Sequence, residues 1–114
     1  MPQRIIDTHV HTDNSPDGHH SAMYMCERAE MAGLRAIAFT DHVEADAYRR
    51  DHYDRVALQS FIDVTKARSA FCGKLLVCAG VELGQPMYDV KTAEEILSNL
   101  PYDMVIGSVH NFKD

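Results

Sequence analysis

Asp7-Thr8-His9-Val10-His11-Thr12 follows the apolar pair Ile5-Ile6 and runs into the turn-forming residues Asp13-Asn14-Ser15-Pro16-Asp17-Gly18. Apolar residues giving way to a turn read as a strand, here about Arg4 to His11. Side chains alternate along a strand, which puts His9 and His11 on one face, with Asp7 beside them. Two imidazoles at a strand's end can share a metal ion. Equally, one can be a polar core residue and the other solvated, and His-x-His by itself does not choose. The endings of the later strands carry that decision.

Working outward, a helix fits Ser21 to Ala32, with Ser21 as N-cap, Ala22, Met25, Ala29 and Ala32 as its inner stripe, and Gly33 as C-cap. The next strand is Ala36 to Thr40, closing on Asp41-His42. A polar segment from Glu44 to Asp54 leads to a longer helix, Arg55 to Phe71, with Leu58, Phe61, Ile62 and Thr65 inward and Gly73 ending it. Leu75 to Val81 is a third strand, closing on Glu82. Gly84, Pro86 and Asp89 mark a loop, and Thr92-Ala93-Glu94-Glu95 reads as a capping box starting a helix through Ile96, Leu97 and Leu100. Pro101 stops that helix, and Met104 to Val109 forms a fourth strand closing on His110.

Apolar strands alternating with helices define the α/β class and a parallel sheet, open or closed into a barrel, with its chemistry at the carboxyl ends of the strands. No linker, low-complexity tract or sequence repeat interrupts the 114 residues, a length that fits one domain with a buried core.

The formal net charge of −6 argues against nucleic acid as a partner, because phosphate-backbone binding needs clustered Lys and Arg. An anionic substrate would need cations from elsewhere, and bound metal is the obvious source. Three cysteines, Cys26, Cys72 and Cys78, with no C-x-x-C pair point to reduced thiols and a cytoplasmic protein, with Cys26 and Cys78 as small buried residues. No apolar run reaches membrane length, so no membrane partner is expected.

His9, His11, His42, Glu82 and His110 close four separate strands, and a parallel arrangement brings them to one rim. Imidazole with carboxylate suits zinc, manganese or iron better than calcium or magnesium. Glu82, with two oxygens, is the candidate bridge between two ions. Asp7 and Asp41 read as carboxylates that orient imidazoles, or as solvated acids. His19-His20 and His52 are extra ligands, phosphate contacts or solvated histidines. Arg49-Arg50 is a phosphate clamp or ordinary surface.

At these residues the sequence resembles a known family. Asp7-Thr8-His9-Val10-His11-Thr12, Thr40-Asp41-His42, Gly80-Val81-Glu82 and Ile106-Gly107-Ser108-Val109-His110 are similar, in order, to the first four motifs of the polymerase and histidinol phosphatase (PHP) family. Gly80-Val81-Glu82-Leu83 and the last motif look most like its histidinol-phosphate phosphatase branch. The resemblance implies the N-terminal half of a distorted (β/α)7 TIM-like barrel, so residues 1–114 would be a partial PHP domain. It also implies up to three divalent ions of zinc, manganese or iron, and metal-assisted hydrolysis of a small phosphomonoester in histidine biosynthesis, with no Ser or Cys nucleophile. On that pattern His9 and His11 hold one ion, Glu82 bridges it to a second held by His110, and His42 holds a third. Asp17, a turn residue by composition, falls where the family places a further ligand.

Three other readings stand beside this one. An amidohydrolase-type metal hydrolase also opens with His-x-His on a barrel strand. The family's later motifs are not among these residues, so an inactive metal-binding fragment is another. A closed barrel takes about 250 residues, which leaves a third: a homodimer closing the ring by pairing fourth strand to first.

Overall fold

The computed structural model describes residues 5–112. Four strands, β1 (Ile6–Val10), β2 (Ala36–Glu44), β3 (Leu76–Gly84) and β4 (Met104–Ser108), alternate with three helices, α1 (Ala22–Met31), α2 (Tyr53–Ala70) and α3 (Val90–Asn99). All neighbouring strands pair parallel, and their order in the sheet is their order in the chain. Right-handed crossovers that always advance in one direction leave every helix on the same face, as on an arc of a βα barrel. The expected half-barrel is the observed architecture. The start of the first strand was expected at Arg4, which lies outside the described residues.

The helix-covered face of the sheet is apolar. Val10, Ile37, Phe39, Val77 and Ala79 pack against Ala22, Cys26 and Ala29 of α1 and Val64 and Ala67 of α2. Further along the strands, Val43, Val81 and Leu83 pack against Tyr48, Ala57, Ala93 and Ile96. The alternate residues, Thr40, His42 and Glu44 on β2 with Glu82 and Gly84 on β3, therefore point to the opposite face. His42 pairs in register with Glu82, and Glu44 with Gly84.

Several local expectations change. β2 and β3 continue through Glu44 and Gly84, because the polar residues read as strand ends face the open side while their neighbours Val43 and Leu83 stay in the core. In α2 the buried stripe is Ala57, Ser60, Val64 and Ala67, with Phe61 partly buried, while Leu58 and Ile62 are exposed. Small residues let this helix approach the sheet closely, and the bulkier ones turn outward. Ser21 caps α1 as expected, accepting from the Tyr24 N–H at 3.1 Å, with Gly33 beyond its end at φ +83°, but Ala32 is exposed and Cys26 takes its place in the stripe. α3 starts earlier than the capping box suggested: Asp89 is the N-cap, accepting from Thr92 N–H at 3.1 Å and its hydroxyl at 2.7 Å. Cys26 is fully buried, whereas Cys78 is half-buried.

Both outer strands of the sheet carry exposed apolar side chains, Ile6 on β1 and Val105 on β4 among them. No described helix is long and apolar enough to cross a membrane.

Candidate metal centre

The open face ends in a row of imidazoles. Ring centroids run from His9 to His11 at 5.0 Å, His11 to His42 at 4.3 Å and His42 to His110 at 5.1 Å, so side chains from three strand regions of the sheet meet at one rim. Glu82 lies at the middle of the row and is buried, at 4% exposure. Its Oε1 faces His9 Nε2 at 3.2 Å and His11 Nε2 at 3.0 Å. Its Oε2 faces His42 Nδ1 at 3.1 Å and His110 Nε2 at 2.8 Å, and accepts from the Ser108 hydroxyl at 3.1 Å. Burial pushes the Glu82 carboxyl up, but the His11 hydrogen bond, the charge of His42 and the bonds from Ser108 and His110 outweigh it and hold the group below its ordinary value.

Asp17, for which the resemblance implies a ligand's role, lies beside two of these rings. Its Oδ1 is 3.0 Å from His11 Nδ1 and its Oδ2 is 3.2 Å from His42 Nε2, so the loop after β1 closes over the other side of the same two rings. Desolvation pushes the Asp17 carboxyl up, but the hydrogen bond with His42 and the charges of His11 and His42 together outweigh it and hold the group below its ordinary value.

Asp41 holds that loop in place. It was expected to orient an imidazole, yet strand alternation sends it to the helix face, opposite His42. There, buried, it accepts from Thr12 N–H and Oγ1 at 2.6 Å each, from Ser15 Oγ at 2.7 Å and from Ser60 Oγ. Ser15 Oγ in turn accepts from His42 N–H at 3.1 Å. Asp7 likewise leaves its expected role. An extra residue between the Asp7–Ile37 and Val10–Phe39 pairings breaks the alternation, so Asp7 does not share the face of His9 and His11. Its carboxylate accepts from the His9 backbone N–H at 3.3 Å. The ring of His9 is set instead by buried Thr40, whose Oγ1 is 2.8 Å from Nδ1.

Two further residues escaped the sequence reading. Glu44, assigned to a polar segment, has its Oε1 2.6 Å from His110 Nδ1. Gln85, fully buried at φ +59°, accepts from the backbone N–H groups of His110 and Asn111 at 2.6 and 3.0 Å and donates to Asn111 C=O at 2.8 Å. The period-2 signal from His42 would have found Glu44; nothing local marks Gln85. Burial disfavours a charge on His110, but the neighbouring Glu44 and Glu82 carboxylates more than offset it and raise its pKa.

The remaining candidates lie apart from the cluster. Arg49 pairs with Glu95 at 2.6 Å and Arg50 with Asp51 at 3.1 Å, which makes both surface ion pairs. His20 packs its ring against Tyr24 at 4.6 Å, and His19 and His52 are exposed.

The donor set fits a divalent transition metal: imidazoles and carboxylates, three groups of which have ligand atoms within 4.8 Å of one another. These are His9–His11–Glu82, His42–Glu82–His110 and His11–Asp17–His42. A neutral imidazole offers one lone pair, so an ion in the third group competes for rings used by the other two. The first two groups share only Glu82, one oxygen each. Among the described residues, then, these two groups share no imidazole.

A parallel βα arc with a histidine–carboxylate cluster at its carboxyl edge defines a barrel-type protein built to hold metal. More narrowly, residues 7–114 match the PHP domain, and the chain belongs to that family. The match favours this family over the amidohydrolase reading. A probable histidinol-phosphatase of Deinococcus radiodurans is 28% identical over 113 residues, covering 93% of this chain and 42% of that protein. The histidinol-phosphatase of Lactococcus lactis subsp. lactis is 25% identical over 109 residues, covering 96% and 40%. A crystal structure of histidinol phosphate phosphatase from the same organism, complexed with zinc, L-histidinol and phosphate, superposes with a TM-score of 0.64 at 22% identity, over 96% of this chain and 41% of that one. The chain spans about two fifths of the length of the curated relatives it matches.

Proposed function

We propose that this chain forms the metal-holding part of a divalent-metal phosphoesterase that hydrolyses a small phosphomonoester, histidinol phosphate being the substrate its relatives' names point to. The observation that carries the reading is the buried Glu82 carboxylate, each oxygen directed at a different imidazole pair. His9 and His11 would hold one ion through Glu82 Oε1 and His110 a second through Oε2; His42, which the resemblance gave to a third ion, faces that same oxygen and would join the second. Asp17, facing the far sides of His11 and His42, would serve a third ion only with ligands beyond these. Bound divalent ions supply Lewis acidity toward a phosphoryl group and toward water.

The chain's own residues favour direct attack by water over a covalent route. The Ser108 hydroxyl is committed to Glu82. Burial pushes the Cys26 thiol up to about 11, which keeps it an inert core residue. The rim is rich in carboxylates and the nearby arginines are paired with acids, so the positive charge that a phosphate needs falls to the ions. Phosphate release from histidinol phosphate, measured with zinc or manganese and after chelation, tests the reading. Turnover that rises with metal and vanishes with chelator supports it; turnover surviving prolonged chelation and metal-free dialysis refutes it.

A second reading concerns closure of the sheet. Exposed Ile6 on β1 and Val105 and Val109 at β4 favour pairing of β4 with β1 of another copy. Such a dimer would bring two ligand sets to one rim. Sedimentation of the 114-residue chain decides it, since a stable monomer at micromolar concentration excludes self-closure.

A further inference from the structure

We infer that Glu44 is a positioning residue for His110: its carboxylate takes the Nδ1–H of that ring and so turns Nε2 toward Glu82 and the second ion. The inference rests on the metal-centre reading above and adds a residue to it.

Three observations converge on this role. The Glu44 Oε1 to His110 Nδ1 distance is 2.6 Å, short for a hydrogen bond between a nitrogen and an oxygen, and the other ring nitrogen is 2.8 Å from Glu82 Oε2. A ring with both nitrogens engaged has one orientation. Secondly, the neighbouring strand makes room for this carboxylate. Glu44 is paired in register with Gly84, and a Cβ on Gly84 would run into all three carboxyl atoms of Glu44. Gly84 sits at φ < 0, so close approach rather than backbone conformation calls for glycine there. Thirdly, His110 lies beyond the last residue of β4 and so lacks the sheet's own hydrogen bonds. The backbone is fixed by Gln85, and the ring's Nδ1 is left to Glu44. Histidine ligands generally need such a partner on the second ring nitrogen, because it fixes the tautomer and raises the basicity of the first. His42 Nδ1, at 3.9 Å from the same Oε1, is too far for a hydrogen bond, so the effect belongs to His110.

The test uses the 114-residue chain and two readouts. In the metal-free protein, NMR of the imidazole nitrogens should show a solvent-protected Nδ1–H on His110. Glu44→Ala should lose it, and Glu44→Gln, whose amide oxygen still accepts, should keep it. In zinc titrations against a competing chelator, Glu44→Ala should weaken one equivalent by about 10- to 100-fold and leave the other unchanged. Gly84→Ala should do the same by displacing only the free end of the Glu44 side chain, so it decides the matter if Glu44→Ala does not fold. A protected His110 proton and unchanged zinc affinity in Glu44→Ala or Gly84→Ala would overturn the inference. A wild-type chain that takes up no zinc would overturn the metal centre instead, while the ring proton would still report whether Glu44 holds His110.

Discussion

Replacing Glu82 by Gln keeps the side chain's shape and removes its charge. In the wild type two oxygens serve four imidazole nitrogens at 2.8–3.2 Å and one hydroxyl at 3.1 Å. An amide retains one acceptor oxygen and turns an NH2 toward the rings on the other side, so neither imidazole pair keeps an anionic partner and one of them faces a donor. Each contact to a charged group contributes about 1.5–3 kcal/mol, and the Glu82 carboxylate is itself buried. Removing the charge from one ligand oxygen, at the upper end of that range, is about 3 kcal/mol, which corresponds to roughly 100-fold in affinity for the ion on that side. The shared position predicts more: neither ion keeps a bridging anion, so both equivalents weaken. Equilibrium dialysis with elemental analysis of the bound metal reads this directly. Wild-type metal content in Glu82→Gln as purified, or an affinity within about threefold for both equivalents, would refute the bridging assignment.

Acid and base act on the metal-free chain in opposite ways. Glu82 has a folded pKa below its ordinary 4.5, so its contribution is present above that value and is lost as pH falls through the depressed one. His110 has a folded pKa above its ordinary 6.5, so its contribution is full below 6.5 and is lost as pH rises through the elevated one. Thermal melts with chelator should therefore be highest between these two values, and stability climbing steadily from pH 6 to roughly 9 would contradict the pairing around His110. Asp41→Ala should cost about 3 kcal/mol in urea unfolding, since it strands buried donors on Thr12, Ser15 and Ser60; a loss under about 1 kcal/mol would mean the loop is held by something else. Thr40→Val should leave the fold intact and weaken only the ion held by His9, by about 10-fold, as read by zinc competition; an unchanged affinity would show that Thr40 does not set that ring.

The class of fold was readable because each strand is an apolar run bounded by turn residues, and because βα alternation admits few topologies. The rim was readable for a related reason: His42, Glu82 and His110 each interrupt such a run where it meets a loop. The misses have physical causes. Asp41 and His42 are adjacent in sequence and so on opposite faces, a consequence of alternation that a motif read as a unit conceals. Asp7 is carried off its expected face by a bulge, which only the register with β2 reveals. Glu44 looked like the first residue of a polar loop, because its carboxylate finds its place only against Gly84, 40 positions later in a neighbouring strand. The buried stripe of α2 is made of alanines, a serine and a valine, so ranking positions by hydrophobic size chose Leu58 and Ile62, which face outward, beside Phe61, which is partly buried. Gln85 could not be found from composition at all, since its partners are backbone groups brought near by tertiary structure.

On the proposed arrangement Glu82 lies between two divalent ions, one held with His9 and His11 and the other with His42 and His110. Anomalous diffraction at the zinc edge from crystals of the zinc-loaded chain tests it most directly. Two peaks should flank the Glu82 carboxylate, one near each oxygen. A single ion away from Glu82, or zinc found only at surface histidines such as His19 and His52, would contradict it.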